Sequence, residues 1–157
     1  MEESGNIDIE FRDAQPPDLD ALAWSGGTAH TAALDAALTA SWHGDVVLLV
    51  GELPNGRLIA SGALDLRLDP PRIWMVAVHE AWQSLGVGAA LIAALRERAA
   101  ESGADHVSLS VETDNPRART LYRRLGFVQT DSIVESWPLD DGRTYVTSSD
   151  LMVAPSR

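Results

Sequence analysis

Two apolar segments of strand length, residues 72–79 and 106–112, bracket a glycine-bearing turn and a stretch of helical period. Within residues 86–102, Val87, Leu91 and Leu95 recur at i, i+4 and i+8, with Ile92 and Ala99 beside them. That pattern gives a helix with one apolar face. Strand, helix, strand is a crossover unit, and a helical crossover joins parallel strands. The second strand leads into another helix, residues 116–125, with Asn115 as its cap, Pro116 at its first position and Gly126 past its end.

The flanking segments decide what this unit is embedded in. Residues 7–12 alternate apolar and charged side chains, as a half-buried strand does. A helical stretch with Leu19, Leu22 and Ala23 follows, broken at Gly26-Gly27, and residues 28–41 form a second helix with Leu34 and Leu38 one turn apart. Residues 45–53, 57–68 and 72–79 read as three consecutive strands, the first two joined by the turn Pro54-Asn55-Gly56. Two strands, 127–134 and 144–153, close the chain. An antiparallel run followed by a βαβ crossover is an α/β order, unlike the regular alternation of a doubly wound nucleotide fold.

Composition removes several chemistries. The chain has 157 residues, 45% of them hydrophobic, which suits one domain spanning residues 1–157. It has no cysteine, so disulfides, thiolate metal sites and a Cys nucleophile are excluded. All 12 basic residues apart from histidine are Arg, which excludes a Lys Schiff base and a Walker-type Lys. The net charge of −11 would repel phosphate backbones, so no nucleic-acid partner is expected, whereas cationic small molecules would be attracted. The opening Met1-Glu2-Glu3-Ser4-Gly5-Asn6 lacks the basic and apolar regions of a signal peptide. No apolar run approaches the roughly 20 residues of a membrane span. A cytoplasmic protein with no membrane partner is the expectation.

The turn Gln83-Ser84-Leu85-Gly86-Val87-Gly88-Ala89 opens the crossover helix. Glycines there let the backbone approach a ligand, and the free N–H groups of a helix start bind anions such as a pyrophosphate. It is no P-loop, since no Gly-Lys-Ser/Thr follows, and Leu91 occupies the third glycine position of a dinucleotide fingerprint.

Taken together, Gln83-x-x-Gly86-x-Gly88, helix, strand and Asn115-Pro-Arg-Ala118-Arg-Thr-Leu121-Tyr122-Arg-Arg-Leu-Gly126-Phe127 resemble the GNAT superfamily of acetyl-CoA-dependent N-acetyltransferases. The resemblance is carried by residues 73–128. It implies a GNAT-like mixed, mostly antiparallel central sheet with a βαβ acetyl-CoA-binding core and about four helices. It implies acetyl-CoA as cosubstrate, an amine as second substrate and no metal; a homodimer is compatible with it. By that resemblance, Val76, Ala77 and Val78 pair with the pantetheine arm. Gln83, Ser84, Leu85, Gly86, Val87, Gly88 and Ala89 surround the pyrophosphate, Asn115 contacts the arm, and Tyr122 protonates the departing thiolate. A phenol with a pKa of about 10 is protonated at neutral pH and can do so. Taken alone, a Tyr on that helix is more often core packing.

Two departures from the resemblance leave roles open. The turn lacks a basic residue, so phosphate binding falls to backbone amides or to an Arg elsewhere, Arg117 or Arg119. The bases best known in the family are also missing. Ser110 stands five residues before Asn115 and Arg72 at the start of the preceding strand, where relatives carry Glu. Glu112, His79, Glu80, Asp65 or a water chain remain, with Glu112 favoured. On the acceptor side, the resemblance points to the N-terminal helices and the loop between the last two strands. These carry Trp24, His30, Asp35, Trp42, Trp137, Asp140 and Asp141, a set equally compatible with core packing and solvated surface. A small-molecule amine is the expected acceptor. A peptide N-terminus or lysine, and a catalytically silent CoA-binding module, are the alternatives.

Overall fold

The structure, a computed structural model, describes residues 7–157; the opening Met1 to Asn6 lies outside the described residues. The elements in chain order are β1 (Glu10–Asp13), a 3-10 helix (Pro16–Ser25), α1 (Thr28–Trp42), β2 (Val46–Glu52), β3 (Leu58–Asp65), β4 (Arg72–Val78), a 3-10 turn (Glu80–Trp82), α2 (Val87–Glu101), β5 (His106–Glu112), α3 (Pro116–Arg124), β6 (Val128–Pro138) and β7 (Thr144–Pro155). The strands form one seven-stranded sheet in the order β1-β2-β3-β4-β5-β7-β6. Only β4 and β5 run parallel; the other adjacent pairs are antiparallel. The mixed, mostly antiparallel sheet with its βαβ core is the architecture the sequence implies. Three α-helices and a ten-residue 3-10 helix supply the four expected helical segments.

The sheet is covered on both faces, which explains the unbroken apolar run of β2. Val47 and Leu49 join the core beneath α2, while Val46, Leu48 and Val50 face the 3-10 helix and α1. A strand buried on both faces reads as continuous rather than alternating. On α2, Val87, Leu91, Ile92, Leu95 and Ala99 are buried. Each Leu or Ile so placed contributes roughly 1.5–3 kcal/mol. Among the described residues no helix is long and apolar enough to cross a membrane.

Several strand ends differ from the sequence reading, β3 stopping at Asp65 rather than residue 68 and β7 reaching Pro155 rather than residue 153, and two of the differences have clear physical reasons. β1 begins at Glu10 rather than at residue 7, because Glu10 pairs with Glu52, the last residue of β2. Residues before it run beyond their partner strand. β6 runs four residues further than the pattern suggested, reaching Pro138. Most of its side chains are exposed on both sides, so no alternation marks it.

Candidate active site

Strand β4 breaks away from both neighbours at its middle. Ala63 of β3 pairs with Trp74 and Ser61 with Ala77, so Met75 and Val76 stand opposite the single residue Gly62. This is a β-bulge, and Met75 takes it up with φ +57°, a conformation L side chains rarely adopt. On the other side β4 pairs with β5 only at Arg72–Ser108, after which the two strands part. The gap opens into a cavity of about 700 Å³, lined by Trp74, Met75 and Val76 on one wall and Leu109, Ser110, Val111 and Glu112 on the other.

The bulge sets which backbone groups face the gap. His79 N–H donates to Ile59 O at 2.8 Å, so alternation also turns Ala77 toward β3, opposite Ser61. Val76 and Val78 then turn their N–H and C=O groups the other way. The Val78 carbonyl already accepts a hydrogen bond from Gln83 Nε2 at 3.0 Å. Of the three residues expected to pair with an extended ligand, Val76 and Val78 turn backbone groups toward the gap, and Ala77 turns its own toward β3.

Beyond β4 the chain turns sharply at Ser84, φ +69°, and Gly86, φ +85°, and enters α2. Gly86 is the N-cap and supplies no side-chain cap. Ala90 N–H is the first to bond back, to Gly86 O at 3.1 Å, which leaves the N–H groups of Val87, Gly88 and Ala89 without intrahelical acceptors. A Cβ at Gly88 would meet only Val78 Cγ2, at an ordinary 3.8 Å. The fold itself has room for a side chain there. Arg117 Nη2 donates to Ser84 Oγ at 2.9 Å, bringing a guanidinium to the turn. Arg119 goes elsewhere, pairing with buried Asp150 at 2.9 Å. The structure thus distinguishes the two arginines the sequence left equal.

Helix α3 places the remaining cofactor-side groups. Asn115 Oδ1 accepts from Ala118 N–H at 3.2 Å, capping the helix, and its amide nitrogen stays free at the cavity edge. Tyr122 lines the cavity and packs edge-on against Phe127, ring centroids 5.9 Å apart. Its hydroxyl has no hydrogen-bond partner among the described residues. Burial pushes its phenol above the ordinary pKa of about 10, which favours the protonated form.

The far wall comes from distant segments. The tip of the β6–β7 hairpin docks on the start of α1, where Asp140 Oδ1 accepts from Ala29 N–H at 2.9 Å. Gly27 is the N-cap of α1, and a Cβ there would fall 1.8 Å from Asp140 Oδ2, so only a residue without a side chain leaves the carboxylate this position. His30, Trp137 and Asp140 line the cavity. His30 is held below its ordinary pKa by burial, which favours its neutral form. The other acceptor-side candidates lie elsewhere. Trp24 packs edge-on against His79 at 5.2 Å, Trp42 is 63% exposed, Asp35 faces solvent, and Asp141 pairs with Arg143.

Comparison with known proteins agrees with this geometry. The sequence matches the Acetyltransferase (GNAT) family over residues 14–127. The chain belongs to the GNAT acetyltransferase family. It is 34% identical over 94 residues to a mycothiol acetyltransferase of Clavibacter sepedonicus, a stretch covering 60% of this chain and 31% of that protein. It is 30% identical over 89 residues to the ribosomal protein bS18 alanine N-acetyltransferase of Escherichia coli, covering 57% of this chain and 60% of that one. The matched part is therefore about a third of the first relative's length and three-fifths of the second's. Among solved structures, the Escherichia coli ribosomal-protein enzyme superposes with a TM-score of 0.73 at 22% identity, covering 94% of this chain and 93% of that one. A Vibrio cholerae spermidine N-acetyltransferase in complex with CoA and spermine superposes at 0.71 and 18%, covering 94% and 95%.

Within this GNAT fold the four base candidates separate. Glu112 lines the cavity, and its Oε1 accepts from Tyr145 O–H at 2.7 Å. His79 and Glu80 stand past the end of β4, outside the cavity lining; His79 Nδ1 is 3.1 Å from the Ala81 N–H. Asp65 pairs with Arg67 at 2.9 Å. One lining carboxylate had no sequence signal at all. Glu135 of β6 reaches over β7 to accept from Ser110 Oγ at 3.0 Å. It lies in the unforeseen extension of β6, and only the pairing register puts it on the face of Ser110 and Glu112.

Proposed function

We propose that the chain transfers an acetyl group from acetyl-CoA directly to a primary amine, and that the acceptor is a small molecule. One observation carries this reading. The free N–H groups at the start of α2 follow closely on β4, and the middle of β4 lines a cavity that also holds the partly buried phenol of Tyr122. Acetyl-CoA would supply the activated acyl group. The outward-facing backbone of Val76 and Val78 would hold its arm, with Asn115 at the edge. The turn Gln83, Ser84, Leu85, Gly86, Val87, Gly88 and Ala89 would hold its pyrophosphate on backbone amides, aided by Arg117.

The chemistry asks for little else. The Val78 N–H polarises the thioester carbonyl, Glu112 takes a proton from the amine, and Tyr122 gives one to the leaving sulfur. No covalent enzyme intermediate is needed. Relatives are named for acceptors as different as mycothiol, a ribosomal-protein alanine and spermidine, so similarity does not choose among them. The cavity's volume of about 700 Å³ lies within the usual range for small-molecule sites, and the α1–hairpin dock bounds it on the acceptor side.

Titration calorimetry with acetyl-CoA in excess chelator, followed by thiol release scored over an amine panel, tests this reading. Binding together with amine-dependent release is expected. Absence of binding at millimolar acetyl-CoA would sink the cofactor assignment. Binding without release for any amine would make the chain a CoA-binding module instead.

A further inference from the structure

Ser110 and Glu135 fall to the floor of the cavity from strands that are not neighbours in the sheet. Their hydrogen bond has a defined polarity. An ionised carboxylate only accepts, so the Ser110 proton points at Glu135 Oε1. The serine lone pairs are then left for the cavity, as is the second oxygen of Glu135. Glu112, on the same face of β5 two residues on, contributes a further carboxylate whose Oε1 is already satisfied by Tyr145. No Arg lines the cavity, and neither Glu112 nor Glu135 forms an ion pair among the described residues. Neutral His30 does not offset them. This part of the wall sets carboxylate and hydroxyl oxygens together with no cation beside them.

We infer that Ser110, oriented by Glu135, seats the attacking nitrogen of the acceptor as a primary ammonium, so that the enzyme selects aliphatic primary amines over amines that are neutral at pH 7. This deepens the acetyltransferase reading and rests on it. An aliphatic ammonium brings three donors and a positive charge. One N–H meets the Ser110 lone pair, a second meets the free oxygen of Glu135, and the third is the proton that passes to Glu112 before attack. The neutral amine so formed stays held by Ser110 while its lone pair forms the new C–N bond; the C–S bond then breaks, Tyr122 protonates the leaving sulfur, and the second N–H proton passes to the phenolate that Tyr122 leaves behind. Glu135 is therefore a positioning residue and Glu112 the proton acceptor. An arylamine, uncharged at neutral pH and with two donors, leaves a half-buried carboxylate facing it without a compensating charge, which disfavours binding.

The test uses two isomers of equal size, phenethylamine and 4-ethylaniline, titrated into the CoA-saturated protein at neutral pH. Phenethylamine is expected to bind at least about tenfold more tightly, the scale of one charge-assisted hydrogen bond. Glu135→Gln should shrink that preference to within a few-fold and leave CoA affinity unchanged. Ser110→Ala should weaken phenethylamine binding, and adding Glu135→Gln to it should cost less than Glu135→Gln costs alone, because the two act as a unit. Lowered affinity for both isomers alike in Glu135→Gln would indicate a structural role and overturn the inference. So would equal binding of the isomers by the wild-type protein, a result that requires no variant to fold. Failure of CoA to bind would instead strike the underlying acetyltransferase reading, which keeps the two apart.

Discussion

The two sides of the cavity are built in opposite ways. The side proposed for the cofactor is nearly contiguous: β4, the turn, α2, β5 and α3 occupy residues 72–124 without interruption. Its geometry follows from local features, namely a bulge, two left-handed residues and a capped helix start. The acceptor side is joined from α1 and the β6–β7 hairpin, more than a hundred residues apart at the Ala29–Asp140 hydrogen bond. Local chemistry recurs wherever its motif recurs, whereas a wall made by docking two distant tips is free to vary. The cofactor side should therefore tolerate little, and changes on the acceptor side should alter one substrate's binding while sparing the other's.

The largest effect is expected at the point where the two sides meet. Tyr122→Phe keeps the ring against Phe127 and removes only the hydroxyl. If that group protonates the leaving thiolate, kcat should fall by roughly 10²–10⁴-fold, with acetyl-CoA affinity little changed. Because burial raises the Tyr122 pKa, the wild-type enzyme should hold its protonated acid to a pH above the ordinary phenol range and lose activity only beyond it. Steady-state kinetics of the folded variant check this. Near-normal turnover would reduce Tyr122 to a packing residue.

Gly88→Asp probes the cofactor side alone. A Cβ meets nothing closer than 3.8 Å, so the fold should survive and the melting temperature should move little. A carboxylate at the helix start would oppose a pyrophosphate there and weaken acetyl-CoA binding by roughly two orders of magnitude. Wild-type affinity in calorimetry would place the pyrophosphate elsewhere.

This contrast also explains what the sequence could show. The turn, the α2 face and Asn115-Pro116 lie within one stretch, where period and spacing expose them, and of the residues expected to hold the cofactor Val76, Asn115 and Tyr122 line the cavity. Ala77 needed the register, because only the His79–Ile59 bond tells which backbone groups β3 consumes. Glu135 was invisible for a different reason. The outer part of β6 is exposed on both faces and shows no alternation, and its approach to Ser110 depends on the way β7 lies between them. Trp24 and Trp42 carried no placement of their own: one packs on His79 and the other is exposed, and nothing in their spacing tells the two apart.

Glu112→Gln should have an intermediate effect. At about pH 7 an aliphatic amine is almost wholly protonated, so loss of the proton acceptor should lower kcat by roughly tenfold or more. At about pH 9 more free amine is present and the deficit should narrow. Rate profiles of variant and wild type over that range decide it. A deficit independent of pH would assign deprotonation to water and leave Glu112 as a partner of Tyr145.

The smallest expected change is Gly27→Ala, and it isolates the acceptor side. The new Cβ would sit where Asp140 Oδ2 now lies, so the Asp140 carboxylate must leave Ala29 and the hairpin tip lose its hold on α1. The helix then loses the acceptor at Ala29 N–H, and loss of such a cap costs about 0.5–2 kcal/mol. In a domain of this size each kcal/mol lowers Tm by roughly 2–4 °C. Trp137 and Asp140 move with the tip, so KM for the amine should rise a few-fold. The bulge, the turn and α3 do not touch this dock, and acetyl-CoA affinity should stay as it was. Asp140→Ala removes the cap without crowding and should reproduce both changes, separating loss of the dock from a clash at Gly27. If either variant weakened acetyl-CoA as much as the amine, the two walls would be one cooperative unit. If neither altered the amine KM, the acceptor would not enter between α1 and the hairpin.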